Sequence, residues 1–267
     1  MAKKIPVIAF ANQKGGPGKT TLALQTAFYL SLKGGLKKPI LVVDFDAQGN
    51  TSTRLMGRSD LEELGGTRTI DLFNEELKEV KPIQSPYGCD LIYSLMNDVE
   101  LDDIDSEDLR VILNPAKNLQ PLLDEGKYSA VIIDCPPSLG RKLYGALALA
   151  THVIVPVEVS GFAVDGIKGL TRTIDRVQEI NPDVVLSGIV INKYSSRSDR
   201  HRREVKRLED ALGKLVLSQR VAFRTSLDEA NSDGVPVWTL NKGSARVAAK
   251  EMRAVILEVC RRVGIKK

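Results

Sequence analysis

Ile5-Pro-Val-Ile-Ala-Phe-Ala-Asn12-Gln13-Lys14-Gly15-Gly16-Pro17-Gly18-Lys19-Thr20-Thr21 runs from an apolar stretch into a glycine-rich turn. The residues from Thr20 to Leu32 read as a helix, so the turn joins a strand to a helix. Glycines in such a turn let backbone N–H groups face inward around phosphate oxygens, and the helix N-terminus adds positive potential. Gly18-Lys19-Thr20 is the end of a P-loop: Lys19 is placed to neutralise β- and γ-phosphates, and the Thr20 hydroxyl to bind Mg²⁺. The usual pattern has Gly at position 13, where this chain has Gln13, and a second lysine, Lys14, stands inside the loop. Pro17 has no N–H and donates nothing to a phosphate. A glycine-rich turn alone often serves only steric needs; Gly-Gly-x-Gly-Lys-Thr-Thr between a strand and a helix points to a nucleotide.

Working outward, apolar runs recur at Ile40–Phe45, Ala130–Asp134, His152–Val157 and Val184–Asn192. They are near-continuous in β-branched residues instead of alternating, as parallel strands covered on both faces are. Helix-like segments lie between and after them, at Ser106–Glu125, Arg141–Ala150, Ala163–Ile180 and Ser198–Leu212. The alternation predicts an α/β fold, a doubly wound, mostly parallel sheet flanked by helices. Residues 54–105 are less regular and predict surface helices, loops and a further strand around Asp90–Tyr93. With no repeat or dividing linker, one domain over residues 1–267 is expected.

Carboxylates end two more strands: Asp44 and Asp46 follow Ile40–Val43, and Asp134 follows Val131–Ile133. Ligands of open α/β sheets sit beyond the strands' carboxyl ends, where these side chains converge on the glycine-rich turn. Any one of them could be a helix N-cap; together beside a P-loop they read as metal and phosphate chemistry, with Asp134 acting on Mg²⁺ through the second shell.

The 267 residues carry 38 Lys+Arg and 34 Asp+Glu, a net charge of +4. Residues 193–267 hold 18 Lys+Arg against 9 Asp+Glu, so the body before them is at −5 and this quarter at +9. A basic region on an acidic body points to a polyanion-binding face, the alternative being an ordinary solvated helix surface. Three scattered cysteines and two histidines exclude a disulfide framework and a zinc site. The N-terminus lacks a signal peptide, which predicts a cytoplasmic protein. In the helix predicted over Ser244–Val263, Val247, Ala248, Met252, Val255, Ile256, Val259, Cys260 and Val263 form a stripe of small apolar residues. That stripe suits core packing and lacks the bulky residues of an interfacial anchor, so no stable membrane association is expected.

Lys14-Gly-Gly-Pro-Gly-Lys19-Thr20-Thr21 resembles the deviant Walker A motif of the ParA/MinD ATPases, Pro17 standing where Val is commoner. Asp44-Phe-Asp46-Ala-Gln48-Gly49-Asn50-Thr51-Ser52 resembles their switch I, in the form typical of ParA and Soj partition proteins, and Asp134-Cys-Pro-Pro137 their Walker B and switch II. The resemblance implies ATP and Mg²⁺ as ligands, with Lys14, Gly15, Gly16, Gly18, Lys19, Thr20, Thr21 and Asn192 at the nucleotide, Asn192 contacting the adenine. It implies Thr20, Asp44 and Asp134 around the metal and Asp46 orienting the attacking water. It also implies that Lys14 reaches the other subunit's phosphates in an ATP-dependent homodimer, as an arginine finger supplied in trans does.

For the basic quarter it implies nonspecific double-stranded DNA as partner, bound through Arg197, Arg200, Arg203, Arg220, Arg224 and Arg246. Glu204, Glu209 and Asp210 lie on the same helix as the 197–207 cluster and are placed to neutralise part of it. The expected function is DNA partition on the nucleoid with a ParB-like partner. The P-loop starts too near the N-terminus for a preceding helix-turn-helix domain, so operator binding is not expected. Protein-cargo positioning on the nucleoid, a MinD-like membrane-associated division regulator and a metabolic P-loop enzyme are the competing readings.

Overall fold

A computed structural model describes residues 5–161 and 163–266; Lys267, counted above in the basic quarter, lies outside them. Its strands are β1 (Val7–Phe10), β2 (Ile40–Asp44), β3 (Ile83–Gln84), β4 (Asp90–Ile92), β5 (Ala130–Asp134), β6 (His152–Glu158) and β7 (Val185–Asn192). They form one sheet in the order β3-β4-β2-β5-β1-β6-β7, parallel throughout except for β3 against β4. Each predicted strand is present, and β3 at the edge was not foreseen: two residues carry no periodicity.

Successive residues of each strand go to opposite faces. Val7, Ala9, Leu41, Val43, Val131 and Ile133 build one core, and Ile8, Phe10, Ile40, Val42, Ala130 and Ile132 the other. This two-sided burial is why the strands read as unbroken apolar runs. The second core takes α1 (Lys19–Leu32) through Leu22, Ala23, Ala27 and Phe28. Helices α2 (Asn50–Met56) and α3 (Val99–Asp103) fill the irregular region.

The helix expected over Ser106–Glu125 is broken. Leu109–Leu113 is a 3₁₀ turn, and α4 runs only over Asn114–Asp124. Pro115 sits in the first turn of α4, where its missing N–H costs no helical bond and its fixed φ favours a helix start, while Pro121 is carried inside the same helix at the loss of one such bond. Helices α5 (Arg141–Leu149), α6 (Ala163–Val177) and α7 (Asp199–Leu212) follow the expected positions. Ser198 caps α7 by accepting from the His201 N–H.

After α8 (Thr225–Ser232), α9 (Gly243–Arg262) buries Ala248, Met252, Val255, Ile256 and Val259 in the second core, while Val247 is exposed. Its apolar stripe is therefore a packing face. Among the described residues no helix is long and apolar enough to cross a membrane.

Candidate nucleotide site and basic surface

The parallel order places the ends of β1, β2 and β5 side by side, with Phe10 paired to Asp134 and Asp134 to Asp44. The loop after β1 is held from several sides. The Asn12 amide donates to the Pro156 carbonyl at 2.6 Å and its oxygen accepts from the Lys14 N–H at 3.0 Å. The Asn192 amide donates to the Pro17 carbonyl at 2.8 Å, and Lys193 Nζ to the Gly16 carbonyl at 3.0 Å while pairing with Glu158 at 2.5 Å. Gly18, at φ +98°, closes the loop; a Cβ there would lie 2.2 Å from the Asn192 amide nitrogen, so only glycine fits.

Within the loop Lys14, Gly15 and Gly16 are exposed and Lys19 is buried. Lys19 Nζ arches back to the Lys14 carbonyl at 3.2 Å. Burial lowers the Lys19 pKa, and the charges of Asp134 and Asp46 oppose that shift. The Thr20 and Thr51 hydroxyls donate to Asp134 Oδ2 at 2.7 and 2.6 Å. Burial is the main force pushing the Asp134 carboxyl up to about 6. Asp134 Oδ1 is buried with no hydrogen-bond partner.

An orphaned carboxylate oxygen beside a P-loop threonine suits a hard dication, which draws on oxygen donors only. By donating to Asp134, the Thr20 hydroxyl keeps its lone pairs for a metal, so Thr20 would hold Mg²⁺ and Asp134 would orient Thr20. The residues fit the ion.

Asp44 has a different surrounding. Its Oδ2 accepts from both the N–H and the hydroxyl of Ser52 at 2.8 Å, and its Oδ1 from the Asp46 N–H at 3.2 Å. Burial, with the charge of Asp134 next, pushes its carboxyl well above the ordinary range. Asp44 thus holds the loop carrying Asp46 in shape. Asp46 is half-buried; burial raises it, while the Gln48 N–H and the charges of Lys19 and Lys142 pull the other way. The Thr21 hydroxyl accepts from the Asn231 amide at 2.7 Å. Asn192 spends its amide on Pro17, so in this geometry it braces the phosphate loop.

Several supporting residues escaped the sequence reading. Asn12, Lys193, Glu158 and Asn231 belong to no motif; Thr51 and Ser52 lay inside the quoted Asp44–Ser52 stretch without a role. A cavity of about 210 Å³ lies between Asn12–Pro17 and the end of β6 with the start of α6. A wider one, about 540 Å³, sits away from the loop among Ile70, Phe73, Glu100, Ile104 and Val111. Its rim is acidic, so donor chemistry and not size marks the phosphate site.

The six arginines expected at DNA divide. Arg197, Arg200, Arg203 and Arg246 are exposed and form no ion pair among the described residues. Arg220 pairs with Glu209 at 2.5 Å and lies over the Tyr194 ring, 5.2 Å from its centroid. Arg224 grips Glu251 through two nitrogens, at 2.5 and 3.3 Å. Arg202, Lys206 and Arg207 are paired to Asp199, Asp210 and Glu204 along α7.

A family model described as an AAA domain matches residues 5–186. The chain is 32% identical to IncC of Escherichia coli over 92% of its own length, spanning 66% of that protein. It is equally 32% identical to the chromosome-partitioning ATPase Soj of Treponema pallidum, covering 92% of this chain and 94% of Soj. Among solved structures, a cobyrinic acid a,c-diamide synthase from Mycobacterium smegmatis with bound ADP and magnesium superposes with a TM-score of 0.73 at 27% identity, covering 96% of both chains. With a deviant P-loop set against carboxylates at the ends of a parallel sheet, and a full-length match to Soj, this chain belongs to the ParA/Soj family of P-loop partition ATPases.

Proposed function

We propose that the protein is an ATP-hydrolysing molecular switch that dimerises with ATP, binds DNA without sequence preference and partitions DNA with a ParB-like partner. The observation carrying this reading is the cluster of Lys19, Thr20 and orphaned Asp134 Oδ1 under a loop braced by Asn192. Lys19 takes the β- and γ-phosphates, Thr20 holds Mg²⁺, and Asp46 orients the attacking water. Bound Mg²⁺ supplies charge neutralisation across the phosphates. Lys14 lies at the exposed rim of the loop, and across a dimer it would meet negative charge developing in the transition state on the second subunit's nucleotide. One domain serves the whole cycle, acting in the cytoplasm on the nucleoid.

Arg197, Arg200, Arg203 and Arg246 are the cations best placed for phosphates, because forming that contact breaks no existing pair. Arg220 and Arg224 serve DNA only after leaving Glu209 and Glu251. The test is fluorescence anisotropy of a random-sequence duplex with ATP, ADP and no nucleotide, across a salt series. Affinity present only with ATP, falling linearly on a log–log salt plot, is expected. Equal affinity in all three states would overturn the switch, and vesicle binding in place of DNA binding would favour a membrane role.

A further inference from the structure

Residues 94–105 touch both the loop that carries Asp46 and the start of α5, just beyond Asp134, yet contain no motif. At one end, the Ser94 N–H donates to the Ser52 hydroxyl at 3.0 Å, and the Ser94 hydroxyl to the Asp44 carbonyl at 2.6 Å. The Asp98 N–H donates to the Ala47 carbonyl at 2.7 Å. The segment is thereby fastened to the loop containing Asp46. At the other end, Asp105 lies against the start of α5: its carboxylate accepts from the Lys142 N–H at 3.2 Å, and its carbonyl accepts from the Arg141 guanidinium. A Cβ on Gly140 would fall 2.2 Å from that carboxylate, so Asp105 occupies the space that glycine vacates.

The residue that locks this second end is Lys142. Its side chain is only 4% exposed, and its ammonium contacts Asp102 and lies 3.4 Å from Asp105. A buried lysine in the first turn of a helix is unfavourable twice, through desolvation and through the helix dipole, unless carboxylates face it. Here they do, and both come from the 94–105 segment. Asp105 meanwhile serves as an N-cap for α5 supplied from 37 residues away. The α5 start follows Asp134 by only the short loop 135–140, so its position governs that loop.

We infer that Lys142 is a positioning residue for hydrolysis: through Asp102 and Asp105 it ties the loop after Asp134 to the loop carrying Asp46, so the two move as one body. The inference rests on the ATPase reading for its kinetic consequence, whereas the mechanical coupling stands apart from it. Among the described residues the Lys142 ammonium pairs with Asp102 and Asp105, and it reaches Asp46 through its charge alone, a field that the exchange measurement does not read. Its loss therefore leaves nucleotide binding in place and misplaces the groups needed at the transition state.

The experiment compares wild type, Lys142→Met and Lys142→Arg by hydrogen–deuterium exchange without nucleotide, then by steady-state ATP hydrolysis and fluorescent-ATP affinity. In Lys142→Met, amide exchange rises by about fivefold or more at residues 45–52 as well as at 135–142, with the β1 and β5 amides unchanged. Its kcat falls about tenfold while KM and nucleotide affinity stay within about twofold, and Lys142→Arg restores both readouts. Exchange that changes only around α5, or a kcat equal to wild type, overturns the inference. Should Lys142→Met fail to fold, Asp102→Asn gives the same test with the ammonium left facing Asp105. A wild type that hydrolyses no ATP would sink the ATPase reading, while coupled exchange at 45–52 would still uphold the tie.

Discussion

The phosphate-loop end and the basic quarter both concentrate charge, but they hold it in opposite ways. At the loop end, Lys19, Asp44 and Asp134 are buried, and nearly every polar atom has a named partner in a second strand or helix. On α7 the charges are exposed, and several are matched within one turn, Arg202 to Asp199 and Arg207 to Glu204. A buried charge must be fixed by its surroundings because desolvation is costly, whereas an exposed one is screened and contributes little by itself. The first kind makes chemistry that one substitution destroys. The second makes a field in which only the unpaired surplus counts.

The largest effect should come from the buried set. Lys19→Ala is expected to lower ATP hydrolysis by more than about 100-fold and to abolish nucleotide binding at micromolar concentrations, measured by steady-state kinetics and titration calorimetry. Hydrolysis within about threefold of wild type would break the comparison at its stronger end.

A smaller but still clear effect is expected from the surplus. Replacing Arg197, Arg200 and Arg203 together by Ala should weaken DNA binding about tenfold or more at low salt. The log–log salt slope should become shallower by about three, with nucleotide affinity unchanged. An unchanged slope would show that these arginines face solvent only.

The comparison sharpens inside the basic quarter, where one charge follows the buried rule. Glu258 is 4% exposed and accepts from the Ser218 N–H and hydroxyl, the Gln219 N–H and Arg262 at 2.8–3.1 Å. Burial alone would raise its pKa, but these donors outweigh burial and hold it below the ordinary 4.5. A depressed carboxylate adds stability above its unfolded pKa, and that stability is lost as pH falls through the folded value. Glu258→Gln should therefore cost about 1–3 kcal/mol at pH 7, read by urea unfolding, with the gap closing as pH falls from the ordinary carboxylate range through the depressed folded value. A gap independent of pH would mean that shape, not charge, is what Glu258 supplies.

The smallest effect belongs to a paired surface charge. Arg207→Ala should change stability by less than about 0.5 kcal/mol, since its partner Glu204 lies on the same exposed helix.

How much of this was legible in the sequence depended on distance along the chain. The strands β1, β2 and β5–β7 and the Gly18-Lys19-Thr20 turn were readable because each is set by neighbours within a few residues. The start of α4 has a local signal in Pro115, which suits a helix's first turn, but Pro121 inside α4 shows that proline alone does not set a helix boundary, and the apolar spacing around both suggested one long helix. β3, α2 and α3 are short and owe their form to packing, which leaves no period to detect.

The site divides in the same manner. Lys19, Thr20 and the carboxylates at the strand ends came from motif and topology alone. The bracing of Pro17 by Asn192 joins residues 175 apart, and the Arg220–Glu209 pair and the Lys142–Asp102 contact bridge separate elements. Sequence by itself thus determined the two-faced parallel sheet and the chemistry offered at its carboxyl end, because burial pattern and loop composition are local properties. Only the tertiary structure decided which charges are buried, which are paired and which remain open, because those depend on the partner that folding brings within about 3 Å.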